Sequence, residues 1–321
     1  MKVLITGASG LVGSALATDL MQRGIHDVRG AVRANSKAQL PEERRALVGD
    51  LGADTDWRAA LSGIDAVVHL AARVHVMRET ERDALSVFRR VNVAGTLKLA
   101  EQAAAAGVRR FVFMSTVKVN KEEGMCVESD RPAPTDPYSI SKLEAEDGLR
   151  FVSSKSGMEL VVIRPPLVYG PGVRANFLSL MRAIARGVPL PFGAVSNKRS
   201  YIGVDNLTDF IIRCLEHPNA RGETFLLCDG EDLSTAELVQ QLARSMGRRP
   251  RLFPVPEWLM VAGAAILGRK DMAQRLLSSL QIDSSKARRM LAWHPRLSVD
   301  EGMRLTVNEF LGRVSRERMP R

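Results

Sequence analysis

The stretch KVLITGASGLVG, residues 2–13, constrains the fold more than any other part of the chain. An apolar run is followed by glycines at 7, 10 and 13, then by apolar residues at helical spacing as far as Gly24. Strand, glycine-rich turn and helix in that order open a doubly wound α/β fold, in which a phosphate sits at the helix N-terminus. Gly7 permits the tight turn, Gly10 lets backbone approach a pyrophosphate, and Gly13 lets helix pack on strand. Gly7, Ser9, Gly10, Leu11, Val12 and Gly13 are therefore candidate dinucleotide ligands. A plain glycine-rich turn is the alternative; it leaves the flanking strand and helix unexplained.

The alternation continues. DVRGAVR, RALVGDL, DAVVHLAA, RRFVFMST and ELVVIRPPLVYG read as further strands, the last as one continuous sixth strand. Helical patterns separate them, including an Ala-rich helix over 84–107 and another over 138–156. Strands that are apolar throughout belong in a parallel sheet covered on both faces. Pro and Gly then cluster at 165–172 and 187–193, and shorter elements follow. The expected division is a Rossmann-type NAD(P)-binding domain over 1–170 and a smaller substrate-binding lobe mainly over 171–321, with segments interleaved.

Composition removes several classes. The net charge of +10 is spread along the chain, and no aromatic-basic motif or helix-turn-helix accompanies it, so no nucleic-acid partner is expected. The three cysteines lack metal or CxxC spacing and read as thiols in a reducing, cytoplasmic compartment; no metal site is expected. The N-terminus shows no secretory signal. The longest apolar run, WLMVAGAAILG (258–268), is shorter than the roughly 20 residues a membrane span takes. It reads as a core or pocket-lining helix, with peripheral membrane contact as the lesser alternative.

The strand ends carry the candidate chemistry. Strand two ends at Arg33 with no acid beside it, and a guanidinium suits a 2′-phosphate as a carboxylate suits a free ribose hydroxyl. NADP(H) is therefore preferred, NAD(H) stays open, and a solvated surface arginine is the bland reading. Asp50 and Leu51 follow strand three, where Asp50 is placed to hold the adenine amino group. Leu70, Ala71 and Ala72 end strand four with small residues that let a ribose pass. His69, inside an apolar run, reads as packed rather than catalytic. Asn92 is a poor helix former within the long helix and is expected to bridge backbone near the site. Tyr138 and Lys142, four apart on one helix face, form a candidate proton-transfer pair, since a nearby ammonium favours the phenolate. Ser115 and Thr116, at the end of strand five, are the candidate hydroxyl donors.

Taken together, TGASGLVG, DL at 50–51, HLAA, VNVAGT, FMST, PYSISK and RPPLVYGPG make the chain resemble the extended short-chain dehydrogenase/reductase family, in its sugar-nucleotide epimerase/dehydratase branch. The match runs in order across almost the whole chain. It implies a sheet of about seven strands and a UDP-sugar substrate. Tyr138 would be the acid/base, Lys142 its partner and Thr116 the hydroxyl donor. It assigns Pro165 to the cofactor site, Asn176 and Arg199 to the substrate diphosphate, and Arg275 as a second phosphate arginine. Members of the family often form homodimers through helices 84–106 and 138–156. Val117 and Lys118 stand where dehydratases of the family carry an acid pair, which argues against water elimination. Arg33 departs from the acid that NAD-retaining epimerases carry there. The resemblance is nearest to bacterial O-antigen-cluster 4-reductases of UDP-4-keto-6-deoxy-N-acetylhexosamines, and the leading expectation is an NADPH-dependent reduction at C4. A UDP-hexose or UDP-N-acetylhexosamine 4-epimerase with bound NAD is the alternative. VHVMRE (74–79) is expected at the sugar end.

Overall fold

A computed structural model describes residues 1–36, 38–74, 83–266, 274 and 276–318. Arg275 and residues 75–79 of VHVMRE lie outside them.

Seven parallel strands form the main sheet: β1 (Lys2–Thr6), β2 (Asp27–Val32), β3 (Arg45–Leu47), β4 (Ala66–His69), β5 (Arg110–Met114), β7 (Glu159–Arg164) and β10 (Thr224–Leu226), the last at one edge. Their order is β10-β7-β5-β4-β1-β2-β3. The order reverses between β1 and β4, and the crevice beyond the strand ends at such a reversal is where α/β folds bind ligands. The apolar runs are buried on both faces: Val3, Leu4, Ile5, Val67, Val68, Val112 and Val161 are wholly inaccessible. This is the Rossmann-type sheet the strand pattern requires.

Helices cover both faces. On one lie α1 (Leu11–Arg23) and α7 (Val204–Glu216), whose Leu16, Leu20, Leu207, Phe210 and Ile211 share a core with Val3 and Ile5. On the other lie the short α2 (Arg58–Leu61), α4 (Gly95–Ala105) and α5 (Pro137–Ser156), packed through Leu99, Ala103, Ala145 and Leu149. The long helix expected over 84–107 is interrupted. α3 (Ala84–Phe88) passes through a π-helical turn over Arg89–Ala94 before α4 begins. Single π turns of this kind collect at functional sites.

The expected sixth strand is two strands. β7 stops at Arg164, and β8 (Leu167–Tyr169) pairs with β9 (Arg199–Gly203) in a second sheet. Pro165 and Pro166 lack the N–H donors a continuous ladder needs, so the chain leaves one sheet there and enters another. That second sheet runs β11-β9-β12-β6, with β6 (Gly124–Cys126), β11 (Asp232–Leu233) and β12 (Leu280–Ile282). Thus β6 from the first half serves the small sheet, and β10 from the second half closes the large one. α6 (Ala175–Ala185), α8 (Thr235–Ser245) and the C-terminal helix Val299–Arg318 enclose a third core around Tyr169, Phe177, Leu242 and Met303.

One helix departs from its expected place. α9 (Glu257–Ile266), within the 258–268 apolar run, has no buried residue, so it is not a core helix. Among the described residues no helix is long and apolar enough to cross a membrane.

Candidate active site

The first strand delivers Gly7 in the left-handed region, at φ 68°, which a side chain tolerates poorly. A Cβ there would stand 2.9 Å from the Ala71 nitrogen, because the loops after β1 and β4 touch. A Cβ on Gly13 would fall 2.2 Å from the Gly7 carbonyl oxygen, so only glycine lets α1 begin this close to the turn. Gly10 is exposed and caps α1 through backbone alone, with no side-chain cap and no acid in the first turn. The free N–H groups of Leu11, Val12 and Gly13 thus face outward at the positive end of the helix. This cradle fits a dinucleotide pyrophosphate.

Thr6 holds the β1 and β4 loops together. Its Oγ1 accepts the Leu70 N–H (3.2 Å) and the Ala71 N–H (3.1 Å) and lies 2.7 Å from His69 Nδ1. With both backbone donors aimed at it, the hydroxyl gives its own proton to Nδ1, leaving Nε2–H to donate to Thr96 Oγ1 at 2.9 Å. Burial pushes the imidazole down to about 3, with Lys142 adding to the effect, so His69 is a neutral packed histidine. Asn92, in the π turn, accepts from the Arg73 N–H (2.8 Å) and donates to the Arg73 carbonyl (3.0 Å) and to Ser141 Oγ (3.0 Å). Its amide is fully engaged with protein. Asn92 therefore bridges the β4 loop to α5, so its place at the cofactor site is as a support for the loop that ends β4.

α5 starts where Asp136 accepts the Ser139 N–H (2.7 Å) while Ser139 Oγ takes the Asp136 N–H (3.2 Å), a reciprocal cap with Pro137 in the first turn. Lys118 Nζ pairs with Asp136 and with Glu122, the latter at 3.0 Å. The lysine that replaces a dehydratase acid thus anchors the helix bearing Tyr138. Burial alone would raise Asp136, yet the Lys118 ammonium and the Ser139 N–H hold its carboxyl below the ordinary value.

Tyr138, Lys142 and Glu146 follow at four-residue intervals on α5. Tyr138 is half-buried, its ring edge-on to Phe88 at 6.1 Å. Lys142 is buried with its ammonium 4.1 Å above the Phe113 ring, and among the described residues no hydrogen-bond acceptor reaches it. Desolvation drives Lys142 down to about 7, opposed by the charge of Glu146. Tyr138 departs from expectation: desolvation, then the Asp136 charge, push its phenol up to about 12. No lowering by Lys142 offsets these two effects.

Thr116, half-buried at the end of β5, caps a short 3-10 turn over Val117–Val119. Ser115 points elsewhere. Its Oγ donates to Glu146 Oε1 at 2.5 Å, which removes it as a hydroxyl donor to substrate. Glu146 is fully buried and also accepts from Arg164 Nε (2.9 Å) and Nη2 (2.5 Å), while Arg164 Nη1 donates to Asn120 Oδ1 (2.9 Å). The buried Pro165 takes the Val117 N–H on its carbonyl at 3.0 Å. Sequence reasoning missed Thr6, Lys118, Glu146 and Arg164 as supports of the site. A signal existed for Glu146: it continues the spacing of Tyr138 and Lys142 on a face otherwise turned inward.

The outer residues are less concentrated. Arg33 Nη1 meets Asp50 Oδ1 at 3.1 Å, with the two side chains 75% and 87% exposed. Leu51 instead packs against Gly95, where a Cβ would fall 2.7 Å from Leu51 Cγ. Asn176 is exposed in the first turn of α6, and Arg199, heading β9, donates to the Ser278 carbonyl (2.9 Å) and Oγ (3.1 Å).

A glycine cradle at a parallel-sheet switch point, facing a Tyr-Lys helix, defines an NAD(P)-dependent enzyme of the extended short-chain dehydrogenase/reductase class. The chain belongs to the NAD dependent epimerase/dehydratase family, whose model matches residues 3–228. It is 43% identical to a UDP-glucose 4-epimerase of Vibrio cholerae over 318 residues, covering 97% of this chain and 95% of that one. Among solved structures, MoeE5 in complex with UDP-glucuronic acid and NAD is 27% identical with a TM-score of 0.78, covering 98% of this chain and all of that one. The UDP-glucuronic acid 4-epimerase from Bacillus cereus, solved in complex with NAD, shares the fold at 22% identity and a TM-score of 0.78, over 97% and 99% of the two chains.

Proposed function

We propose that the protein is a 4-epimerase of a UDP-hexose, working with NAD. The observation that carries this reading is the similarity of the chain, along nearly its whole length, to a UDP-glucose 4-epimerase, together with Thr116 after β5 and Tyr138 and Lys142 on α5. It replaces reduction as the leading reading. That expectation leaned on Arg33 as a 2′-phosphate ligand, and Arg33 is paired with Asp50. A carboxylate at that position partly neutralises the guanidinium and repels a phosphate, which favours NAD over NADP.

NAD would lie across Gly7–Gly13, with its adenine end toward Asp50 and its nicotinamide toward Ala71, Tyr138 and Pro165. When bound, it supplies the acceptor that takes the C4 hydrogen with its electron pair and gives it back on the opposite face. The chain's own residues handle the proton. Thr116 Oγ1 orients the C4 oxygen, and Tyr138 removes that oxygen's proton and later returns it. The Lys142 ammonium stabilises the phenolate in a pocket where a lone charge is costly. Asn176 and Arg199 are assigned to the UDP diphosphate, for which an amide and a guanidinium fork are suitable donors.

The test is incubation of the purified protein with UDP-galactose and no added dinucleotide. Formation of UDP-glucose is expected, and Tyr138→Phe should lower turnover about 10²- to 10⁴-fold. Failure to interconvert the pair, together with oxidation of NADPH on a UDP-4-keto-6-deoxy-N-acetylhexosamine, would return the reading to reduction.

A further inference from the structure

The mechanism makes no use of α9. All ten of its residues are at least partly exposed, with Trp258 at 68%, Leu259 at 44% and Ile266 at 86% accessible. Leaving so much apolar surface in water on one short helix is costly, and a contiguous apolar face marks an interaction site. The segment that precedes α9 also carries exposed apolar side chains. The Leu190 N–H donates to the Arg251 carbonyl (2.8 Å) and the Phe253 N–H to the Leu190 carbonyl (3.1 Å), so residues 188–193 lie beside 251–254. Val188 and Phe253, both 44% exposed, lie on these two adjoining segments, and Phe253 precedes Trp258 closely in the chain.

The surrounding charge has one sign. Residues 176–200 and 238–256 contain no Asp or Glu. Arg182 and Arg186 at the end of α6, and Arg248, Arg249 and Arg251 on the adjoining segment, are all exposed. No partner of any of the five guanidinium groups is found among the described residues, whereas Arg23, Arg44, Arg89, Arg110 and Arg164 are each held by a carboxylate. Glu257 is the lone acid at the start of α9.

We propose that this face docks the protein on an anionic lipid bilayer, with α9 lying in the interface and the arginines on the headgroups. Exposed Trp and aliphatic side chains beside unpaired basic groups are the pattern of helices that lie on a membrane without spanning it. A second copy of the chain is disfavoured because it would bring the two arginine groups together. Nucleic acid leaves the aliphatic face uncovered.

The full chain is mixed with vesicles of phosphatidylcholine alone or containing phosphatidylglycerol. Flotation with the anionic vesicles and release by salt are expected. Trp57 and Trp293 are buried at 2% and 4% exposure, so Trp258 reports contact by a blue shift of its emission. Trp258→Phe should remove the shift. Neutralising arginines should weaken binding about fivefold each, or about a hundredfold for R248Q/R249Q/R251Q. Trp258→Asp should release the protein from vesicles without changing its melting temperature. Absence of flotation, or flotation unaltered in these variants, overturns the proposal. So does a dimer that Trp258→Asp dissociates in a chain that ignores vesicles, which would assign the face to a second copy. Equal binding to single-stranded RNA would overturn it as well.

Discussion

At the scale of single residues, the site depends on a lysine held in an expensive place. Lys142 titrates near 7 in the folded chain against an ordinary 10.5. Between those values the unfolded chain holds a proton that the folded chain has released, so this group's contribution to stability rises with pH. Its cost is full below about 7 and gone above about 10.5. Lys142→Met should therefore abolish turnover while raising the melting temperature, by more at about pH 6 than at about pH 9, as a pH series of thermal melts would show. Arg33→Ala, by contrast, breaks an exposed pair worth less than about 1 kcal/mol and should leave the melt nearly unchanged. Residue identities for the core set, Gly7, Gly13, Thr116, Tyr138 and Lys142, were legible in the sequence because each answers a local requirement of spacing or backbone. The upward shift of Tyr138 was not, since it depends on how deeply tertiary packing buries the ring.

At the scale of elements, the buried Glu146–Arg164 pair joins α5 to the end of β7, and Arg164 extends the link to Asn120. Ser115 adds the end of β5 to the same carboxylate. These are the three segments that bear Tyr138 and Lys142, Pro165, and Thr116. Arg164→Met would leave the buried carboxylate with only the Ser115 hydroxyl and the more distant Arg150 (3.5 Å), and we expect a loss of about 3–5 kcal/mol in urea unfolding. The double variant E146M/R164M should lose less, because no buried charge is left uncompensated. Glu146→Gln keeps the shape and some of the hydrogen bonds, so a fall in turnover exceeding its stability loss would mark it as a positioning residue. The sequence pattern located nearly every strand and helix of the main sheet from apolar periodicity. It read across the Pro165–Pro166 break and the π turn at Arg89–Ala94 because both are departures from a period that continues on either side.

At the scale of the whole molecule, two sheets exchange strands, and this exchange was only partly visible beforehand. β6, β11 and β12 span three, two and three residues, too short for alternation to declare them. Tertiary contacts hold them: Ser200 Oγ donates to Asp232 Oδ1 at 2.5 Å and Gln281 Nε2 donates to Asp232 Oδ2 at 2.6 Å, joining β9, β11 and β12, while β6 pairs along β12 through backbone. The three cysteines are buried and free, and burial raises Cys126 to about 11. A thiol-reactive dye should accordingly label none of them quickly in the folded chain and all three after denaturation.

The most direct test of the whole account uses UDP-galactose carrying deuterium at C4, with the protein supplied only with the dinucleotide it retains through purification. UDP-glucose with the deuterium still at C4 is expected, read by proton NMR, with loss of that conversion in Tyr138→Phe. Washing out of the label, or a need for one added NADPH per product formed, would contradict it.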